Sequence, residues 1–371
     1  MNTIRFNAAS TSHAIAARFA LLLSVAIIGA LASATSSAQQ SYPMLMSLNP
    51  VAVQAGASTE HVLNSRYSMY GATEVYVSGD GVRGEVVMPE LKADAKPPNL
   101  QAMTIKFHVD PDAQPGVRDF RILTPRGAST LGQLVVAADP IVAEVKGNSP
   151  DSPQSVDVPG TWCGVIEAAE DVDSYEFEAK QGQSLSFHVR SMRLQNKIHD
   201  LQQHSDPIIT LRNESGSTLA TSDNVFFGDP FLSHTFADDG RYRLEIRDVR
   251  YQGNKYWSYS IEVNSRPFVT NVHPLAVPAG KPASLELIGV QLGDSKETSF
   301  TSVESPLEPY DAEIALGDDR VIATVVPTDL PILLEDPKAP NDDPGEAQSC
   351  DRLPAMISGR VESDADVDCY S

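Results

Sequence analysis

Carboxylate side chains in the middle of the sequence occur at spacings that could hold a hard cation. Asp171 and Asp173 are two residues apart, so on an extended strand both side chains project to the same side. Asp206 and Asp223 occur in turn-like surroundings further along the chain. Because Ca²⁺ takes its ligands from clustered oxygen atoms, these four aspartates predict a calcium site. The alternative is that they serve turns, for which Asp is a common residue, and no EF-hand spacing accompanies them.

Two tyrosines predict a second kind of site. In KYWSYSIEV (255–263), strand alternation sends Trp257 and Tyr259 towards a core and Tyr256 to the opposite side. Tyr251 precedes Gly253 and Asn254 in a predicted hairpin loop. Exposed tyrosines favour sugar rings or protein partners, so Tyr251 and Tyr256 are predicted to form a binding surface. The alternative is that they are ordinary surface aromatics.

Patterns that would indicate catalysis are missing or have another explanation. GDGVRG (79–84) fits the dinucleotide fingerprint, but EVVMPE (85–90) after it is typical of a strand rather than a helix, which predicts a hairpin turn. His199 and His204 are five residues apart and share no face of a helix or strand, so a polar loop is predicted. The alternative is that they ligate a metal together with Asp200 and Asp206. No G-x-S-x-G or H-E-x-x-H pattern occurs. We therefore predict no catalytic residue and no organic cofactor.

Short alternating segments must position these residues. MTIKFHV (103–109), SLSFHV (184–189) and RYRLEI (241–246) each place apolar side chains at every second position. A period of two with frequent turn residues is typical of half-buried strands, and no long helical pattern appears. The predicted fold class is therefore all-β, with tandem antiparallel β-sandwiches.

Two internal repeats indicate how the sandwiches are arranged. At a shift of 195 residues, PGTWCGVIEAAEDVDSY (159–175) aligns with PAMISGRVESDADVDCY (354–370) with seven identities in seventeen positions. At a shift of 224, PVAVQAG (50–56) aligns with PLAVPAG (274–280) with five identities in seven. Two kinds of module, A and B, therefore alternate along the chain.

The repeats predict five segments after the N-terminal region. These are module A (41–140), module B (150–264), a second A module (265–335), an acidic Pro-rich linker (336–352) and the start of a second B module (353–371). A lone strand cannot bury its apolar face, so we expect the last segment to be the opening of a further module. The alternative is a natural end with a disordered acidic tail.

Module B resembles the bacterial pre-peptidase C-terminal domain, a small jelly-roll-type β-sandwich of secreted proteases and other exported proteins. The resemblance is carried by DVDSYEFEAKQGQSLSFHV (171–189), SDPIITLRNESGSTLATSDN (205–224) and FADDGRYRLEIRDVRYQGNKYWSYSIEV (236–263). The A modules resemble immunoglobulin-like domains of the TIG type, chiefly through VTNVHPLAVPAGKPASLELIGVQLGD (269–294). The resemblance implies domains that accompany a catalytic domain and help secretion, attachment or spacing.

The N-terminus predicts export. The apolar run FALLLSVAIIGALA (19–32) follows basic residues and precedes a small-x-Ala site near Ala38, as in a cleavable signal peptide (1–38). The alternative is a retained membrane anchor. We therefore expect a periplasmic, cell-surface or extracellular location, with no membrane span after cleavage.

Charge and cysteine content limit the partners. The formal net charge of −21 disfavours nucleic acid and anionic lipid, both of which carry phosphate. Cys163, Cys350 and Cys369 make an odd count without zinc-site spacing, so at least one thiol is free or pairs outside the chain.

The sequence as a whole predicts an exported, non-catalytic array of β-sandwiches. Its expected role is an accessory, binding or spacer region that attaches to a polymer or protein partner. The alternative function is the non-catalytic N-terminal part of a larger secreted hydrolase, in particular a protease. Neither alternative names the ligand.

Overall fold

The computed structural model describes residues 41–88, 98–195, 204–294, 296–304, 308–317, 319–336, 338, 341–361, 363 and 366–371. These residues form β-strands and a single turn of 3₁₀ helix at Met192–Leu194. The all-β fold class is therefore confirmed. The predicted signal peptide and His199 lie outside the described residues.

The first sandwich is one continuous sheet that folds over its own core. Its strands are β1 (Leu45–Asn49), β2 (Ala52–Gln54), β3 (Ser58–Ser65), β4 (Glu74–Val77), β5 (Val82–Val87), β6 (Ala102–Val109), β7 (Gly116–Thr124), β8 (Gly127–Ala128) and β9 (Gly132–Ala137). The strand order is β1-β3-β6-β5-β4-β7-β9-β2, with β8 paired to β7. The predicted alternation in β6 is confirmed, because Ile105 and Phe107 are fully buried while Lys106 between them is not.

The glycine-rich segment between β4 and β5 is a hairpin turn, as predicted. The two strands pair antiparallel, with Val75 opposite Gly84. Gly79 and Gly81 have φ values of 74° and 77°, a conformation that residues with a Cβ rarely adopt. No helix follows the glycines, so the geometry of a dinucleotide site is not formed here.

The second sandwich consists of two five-stranded sheets. Its strands are β10 (Ile141–Ala143), β11 (Gln154–Ser155), β12 (Gly160–Val165), β13 (Asp173–Ala179), β14 (Ser184–Arg190), β15 (Pro207–Asn213), β16 (Thr218–Ser222), β17 (Phe231–Thr235), β18 (Gly240–Asp248) and β19 (Ser258–Asn264). The sheet orders are β10-β12-β19-β14-β17 and β11-β13-β18-β15-β16. Large aromatic side chains fill the space between the sheets, among them Trp162, Tyr175, Phe187 and Trp257.

The third sandwich is smaller and is followed by one further strand pair. Its two three-stranded sheets are β20-β22-β23 and β21-β25-β24. The strands are β20 (Phe268–His273), β21 (Ala276–Pro278), β22 (Pro282–Val290), β23 (Glu297–Thr301), β24 (Tyr310–Leu316) and β25 (Asp319–Thr328). β26 (Ile332–Leu334) pairs with β27 (Met356–Ser358) rather than with a strand of the third sandwich.

The sequence repeats recur in the strand pairing. β2 pairs parallel with β9, and its counterpart β21 pairs parallel with β25 in the same way. In the other repeat, the Glu144 carboxylate accepts a hydrogen bond from the Val165 N–H at 2.9 Å, and Glu335 accepts one from the Arg360 N–H at 2.6 Å. The parallel pairs depart from the expected antiparallel pattern. In the first sandwich the parallel pair arises because the chain crosses from β1 at one end of the strand order to β2 at the other end. In the third sandwich it arises because the chain passes from β20 in one sheet to β21 in the other.

Candidate functional site

Asp173 begins β13 and is buried at one end of the second sandwich. Its Oδ2 accepts a hydrogen bond from the Tyr259 hydroxyl at 2.6 Å, and that hydroxyl lies 2.7 Å from the hydroxyl of Tyr175. Oδ1 is buried without a hydrogen-bond partner. Burial, strengthened by the nearby Glu144 carboxylate, raises the pKa of Asp173 to about 8. The carboxyl group therefore holds a proton at neutral pH.

Further carboxylates surround Asp173. Asp171 Oδ2 accepts a hydrogen bond from the Glu167 N–H at 2.7 Å, and Glu144 accepts one from Val165. Partial burial raises the pKa of both Asp171 and Glu144, and the negative charges of the group add to this. The structure thus brings Asp171 and Asp173 together, with Glu144 as an acidic neighbour that the sequence had not singled out.

The other two predicted calcium ligands lie elsewhere along the same end of the sheet. Asp206 precedes β15, where its N–H donates to Asp248 at 2.9 Å. β18 separates β13 from β15, so Asp206 is about 10 Å from Asp173 at a spacing of about 4.8 Å per strand. Asp223 follows β16, one strand further away and exposed. Among the described residues, no group of three or more His, Cys, Asp or Glu has a geometry that could hold a metal ion.

The two predicted binding tyrosines have different surroundings. Tyr251 is 49% exposed, and the guanidinium of Arg247 lies over its ring at 4.0 Å from the centroid. Tyr256 is half-buried and lines a small cavity against the first sandwich, together with Leu194 and residues of β1. The predicted core positions Trp257 and Tyr259 are buried, as expected.

Buried contacts join the first sandwich to the second. The Cys163 side chain packs in a cluster with Val51, Ala52 and Val135 of the first sandwich. Its thiol lies against the backbone of β2, and burial raises the pKa of that thiol to about 12. All three cysteines are free, but Cys163 alone of them is fully buried.

An aromatic cluster joins the second sandwich to the third. Phe268 of β20 stacks on Phe231 of β17, with ring centroids 4.5 Å apart. The same ring lies 4.8 Å from the imidazole of His188, and Phe226 packs edge-on at 6.0 Å. These rings come from two sandwiches and form one continuous contact.

An ion pair connects the first sandwich to the start of the third. Both terminal nitrogens of Arg266 donate to the carboxylate of Asp139, which is 6% exposed. Such a bidentate pair fixes orientation as well as distance. The whole second sandwich lies between these two residues in sequence. The pair therefore links the two ends of the second sandwich and brings all three sandwiches together at one junction.

A cleft of about 460 Å³ lies at that point. Its floor is the outward face of β14 and β19, where Arg190 forms an ion pair with the partly buried Glu262. Burial alone would raise the pKa of Glu262, but Arg190 and His188 outweigh it and hold the pKa well below its usual range. The floor therefore carries a permanent carboxylate and a permanent guanidinium.

His188 is a neutral part of this floor. Its Nε2 accepts a hydrogen bond from Arg193 at 2.9 Å, so the ring proton is on Nδ1, which lies 3.4 Å from Glu262. Burial and the charges of Arg190 and Arg193 lower the pKa of His188 to about 3. Arg190 therefore acts on both neighbours, because its charge disfavours a protonated imidazole at His188 and favours an ionised carboxylate at Glu262.

The remaining walls of the cleft come from the flanking sandwiches. Gly116 and Val117 of β7 form one wall, and residues of β20 and β25 form the other. In that second wall, Arg320 pairs with Glu313 and is 75% exposed at its side chain, while Asp311 accepts a hydrogen bond from Thr324 at 2.7 Å.

Sequence patterns did not indicate this cleft. The outward positions of β14 are Ser186, His188 and Arg190, which alternate with the core residues. A basic residue and a histidine on an outward face ordinarily meet solvent, so alternation predicts exposure for them. His188 is instead buried, because Phe268 of the third sandwich packs against its ring, a contact that no local pattern encodes.

Comparison with solved structures gives distant similarities. The pre-peptidase C-terminal domain of a collagenase from Bacillus anthracis is 16% identical, with 32% of this chain and 100% of that chain covered, at a TM-score of 0.25. The secreted serine protease VesC from Vibrio cholerae is 9% identical over 58% of this chain and 49% of its own, at 0.22. SGBP-B from a xyloglucan utilization locus of Bacteroides uniformis is 10% identical over 60% and 73%, at 0.20. No model of a protein family matches the chain, and no curated protein matches it.

In the part of the chain that the structure describes, no helix combines the length and the apolar character that crossing a bilayer requires.

Proposed function

We propose that this chain is an exported, non-catalytic array of β-sandwiches that acts as a rigid binding or spacer region. It attaches to an extracellular polymer or protein partner and holds it at a fixed distance and orientation. The observation that carries the proposal is the set of contacts between successive sandwiches. Modules without buried contacts between them change their relative orientation freely, whereas buried contacts between modules restrict that motion.

The contacts in this chain are of the restraining kind. The Phe231–Phe268 stack contributes about 0.5–1.5 kcal/mol beyond the area that it buries. The Arg266–Asp139 pair uses two parallel hydrogen bonds, so it resists rotation between the first and third sandwiches. Apolar packing around Cys163 restricts the motion of the first sandwich relative to the second.

The sequence supports the exported and non-catalytic parts of the proposal. The N-terminal region has the charge and hydropathy order of a signal peptide, and the acidic composition suits a soluble extracellular protein. The sequence lacks the motifs of the common hydrolases. Calcium at Asp171 and Asp173, and a surface at Tyr251 or Tyr256, belong to this proposal as candidate sites.

Small-angle X-ray scattering tests the rigid arrangement. The protein lacking residues 1–38 is compared with a variant that carries Arg266→Ala and Phe268→Ala, which removes two of the three restraining contacts. We expect a single rigid shape to fit the first curve, and a larger maximum dimension with a broader distance distribution for the variant. Near-ultraviolet circular dichroism of Trp162 and Trp257 verifies that the second sandwich stays folded.

The matched control is Arg241→Ala. Arg241 pairs with Glu176 on an exposed sheet surface away from the junction, so its loss leaves the scattering curve unchanged. Scattering from the unmodified protein that requires a flexible ensemble would contradict the proposal.

A role within a larger secreted hydrolase is the second candidate. It is favoured by the second repeat, in which Glu335 and Arg360 reproduce the contact of Glu144 and Val165, so that alternating modules continue along the chain. This candidate predicts that antibodies against the second sandwich precipitate a hydrolase activity on the same polypeptide from culture medium. Precipitation of the polypeptide without activity would oppose it.

A further inference from the structure

The junction cleft has the dimensions and the chemistry of a small-ligand site. Its volume of about 460 Å³ falls within the roughly 300–1,000 Å³ that is usual for such sites. Four arginines line it, against two carboxylates, in a chain whose formal net charge is −21. Each of the four guanidinium groups has a carboxylate partner, namely Glu262, Asp229, Asp139 and Glu313. An anion would therefore depend on the guanidinium N–H groups that these ion pairs leave unused.

Two of these arginines keep unused hydrogen-bond donors. Within the part of the chain that the structure describes, Arg190 and Arg320 each use only Nη1, towards Glu262 and Glu313. Nε and Nη2 of each guanidinium have no protein partner there. By contrast, Arg266 uses both terminal nitrogens on Asp139. Unused N–H groups of a guanidinium match the two oxygens of a carboxylate.

The other lining groups suit a polyhydroxylated molecule. Hydroxyl and amide side chains alternate with the charges: Ser186, Asn264, Thr270, Asn271 and Thr324. The rings of Phe226 and Phe268 add two apolar surfaces, the kind against which the C–H face of a sugar packs. The floor strands β14 and β19 are paired on both sides, so recognition at the floor depends on side chains and leaves no strand edge for a peptide.

We propose that this cleft binds a carboxylate-bearing sugar residue, such as a uronic acid unit of an extracellular polysaccharide. Arg190 and Arg320 hold the carboxylate from the floor and from the third sandwich, and the hydroxyl and amide groups hold the ring. The inference rests on the proposed function, because the cleft exists only while the three sandwiches stay fixed to one another.

Isothermal titration calorimetry with trigalacturonic acid tests the assignment on the protein lacking residues 1–38. Maltotriose is the neutral probe of equal length, and a tri-aspartate peptide is the acidic probe without sugar rings. We expect trigalacturonic acid to bind at least tenfold more tightly than either, with an affinity that falls as salt is raised.

Two variants locate the binding. Arg320→Gln removes an exposed guanidinium and is expected to weaken binding about tenfold, since a charged hydrogen bond is lost. Arg190→Gln combined with Glu262→Gln removes the floor charges together and leaves neither unpaired, with the same expected loss. Arg241→Gln makes an equal charge change outside the cleft and leaves the affinity unchanged.

Several results would overturn the assignment. These are the absence of binding at millimolar trigalacturonic acid, binding that both cleft variants leave intact, and tighter binding of the tri-aspartate peptide. The scattering curve of the same sample separates the two proposals. A rigid shape without binding rejects the sugar site alone, whereas a flexible shape rejects the spacer on which the site depends.

Discussion

Asp173 gives the sharpest test of the energetics of the second sandwich. The carboxyl is 1% exposed, and its pKa of about 8 in the folded chain compares with 3.8 for the free side chain. The folded state therefore binds the proton more tightly than the unfolded state does. From this group, stability is greatest at low pH, falls as pH rises through the unfolded pKa, and stops falling above about pH 8.

Asp173→Asn imitates the protonated carboxyl, because the amide oxygen still accepts from Tyr259 and no charge can form. At about 1.36 kcal/mol per pKa unit, the wild-type chain should lose roughly 4 kcal/mol between pH 5 and pH 9 through this group, and the variant should not. Urea unfolding at the two pH values measures the difference. We expect the free energy of unfolding of the variant minus that of wild type to be larger at pH 9 than at pH 5 by about 4 kcal/mol.

The control for this experiment is Asp151→Asn, an exposed aspartate before β11. It makes the same charge change without burial, so its difference from wild type should not vary with pH. A pH-independent difference for Asp173→Asn as well would refute the assignment of a buried, protonated carboxyl. The comparison uses differences between variants, so titrating groups distant from Asp173 cancel, whereas Glu144 and Asp171, which interact with it, contribute to the measured difference.

Calcium binding, the Arg190–Glu262 ion pair and the close approach at Gly289 can each be tested by one substitution or ligand addition. If calcium binds at Asp173, then a calcium concentration of 100 times the dissociation constant should stabilise the wild type by about 2.7 kcal/mol in thermal unfolding, and Asp173→Asn should abolish the effect. Arg190→Gln alone leaves the partly buried Glu262 carboxylate with only the neutral His188 imidazole beside it and should cost about 3 kcal/mol in urea unfolding, of which the added Glu262→Gln should restore a large part. Gly289→Ala places a Cβ 2.0 Å from the Phe268 carbonyl oxygen, so β20 must move. We expect a loss of about 1–3 kcal/mol with a weakened third sandwich, measured by hydrogen exchange of β20 amides.

Strands and cores were predictable because they depend on local alternation. The side chains of Trp257, just before β19, and of Tyr259, within it, are buried two positions apart, and the same rule fixed Ile105 and Phe107 in β6. The hairpin turn was also predictable from local sequence, because the turn needs a positive φ and Gly79 can adopt one whatever surrounds the hairpin. These features need only a few neighbouring residues to be specified.

The surroundings of the candidate sites were less predictable because they depend on contacts distant in sequence. Alternation placed Tyr256 opposite the core, but it could not show that β1 covers that side. Asp171 and Asp173 share one strand and stay together, whereas Asp206 is set apart by β18, whose position follows from sheet order. The burial of His188 was not predictable for the same reason, because Phe268 from another sandwich packs against its ring.

The buried thiol of Cys163 makes it possible to measure how often the interface between the first and second sandwiches opens. With its pKa near 12 and its side chain closed beneath β2, the thiol cannot meet an alkylating reagent while the two sandwiches are in contact. Cys350 and Cys369 are half-exposed and can be replaced by serine, which leaves Cys163 as the single thiol to be alkylated, and its alkylation is slow. The rate at which Cys163 is then modified measures how often the first two sandwiches separate. One residue therefore reports the lifetime of the contact between them.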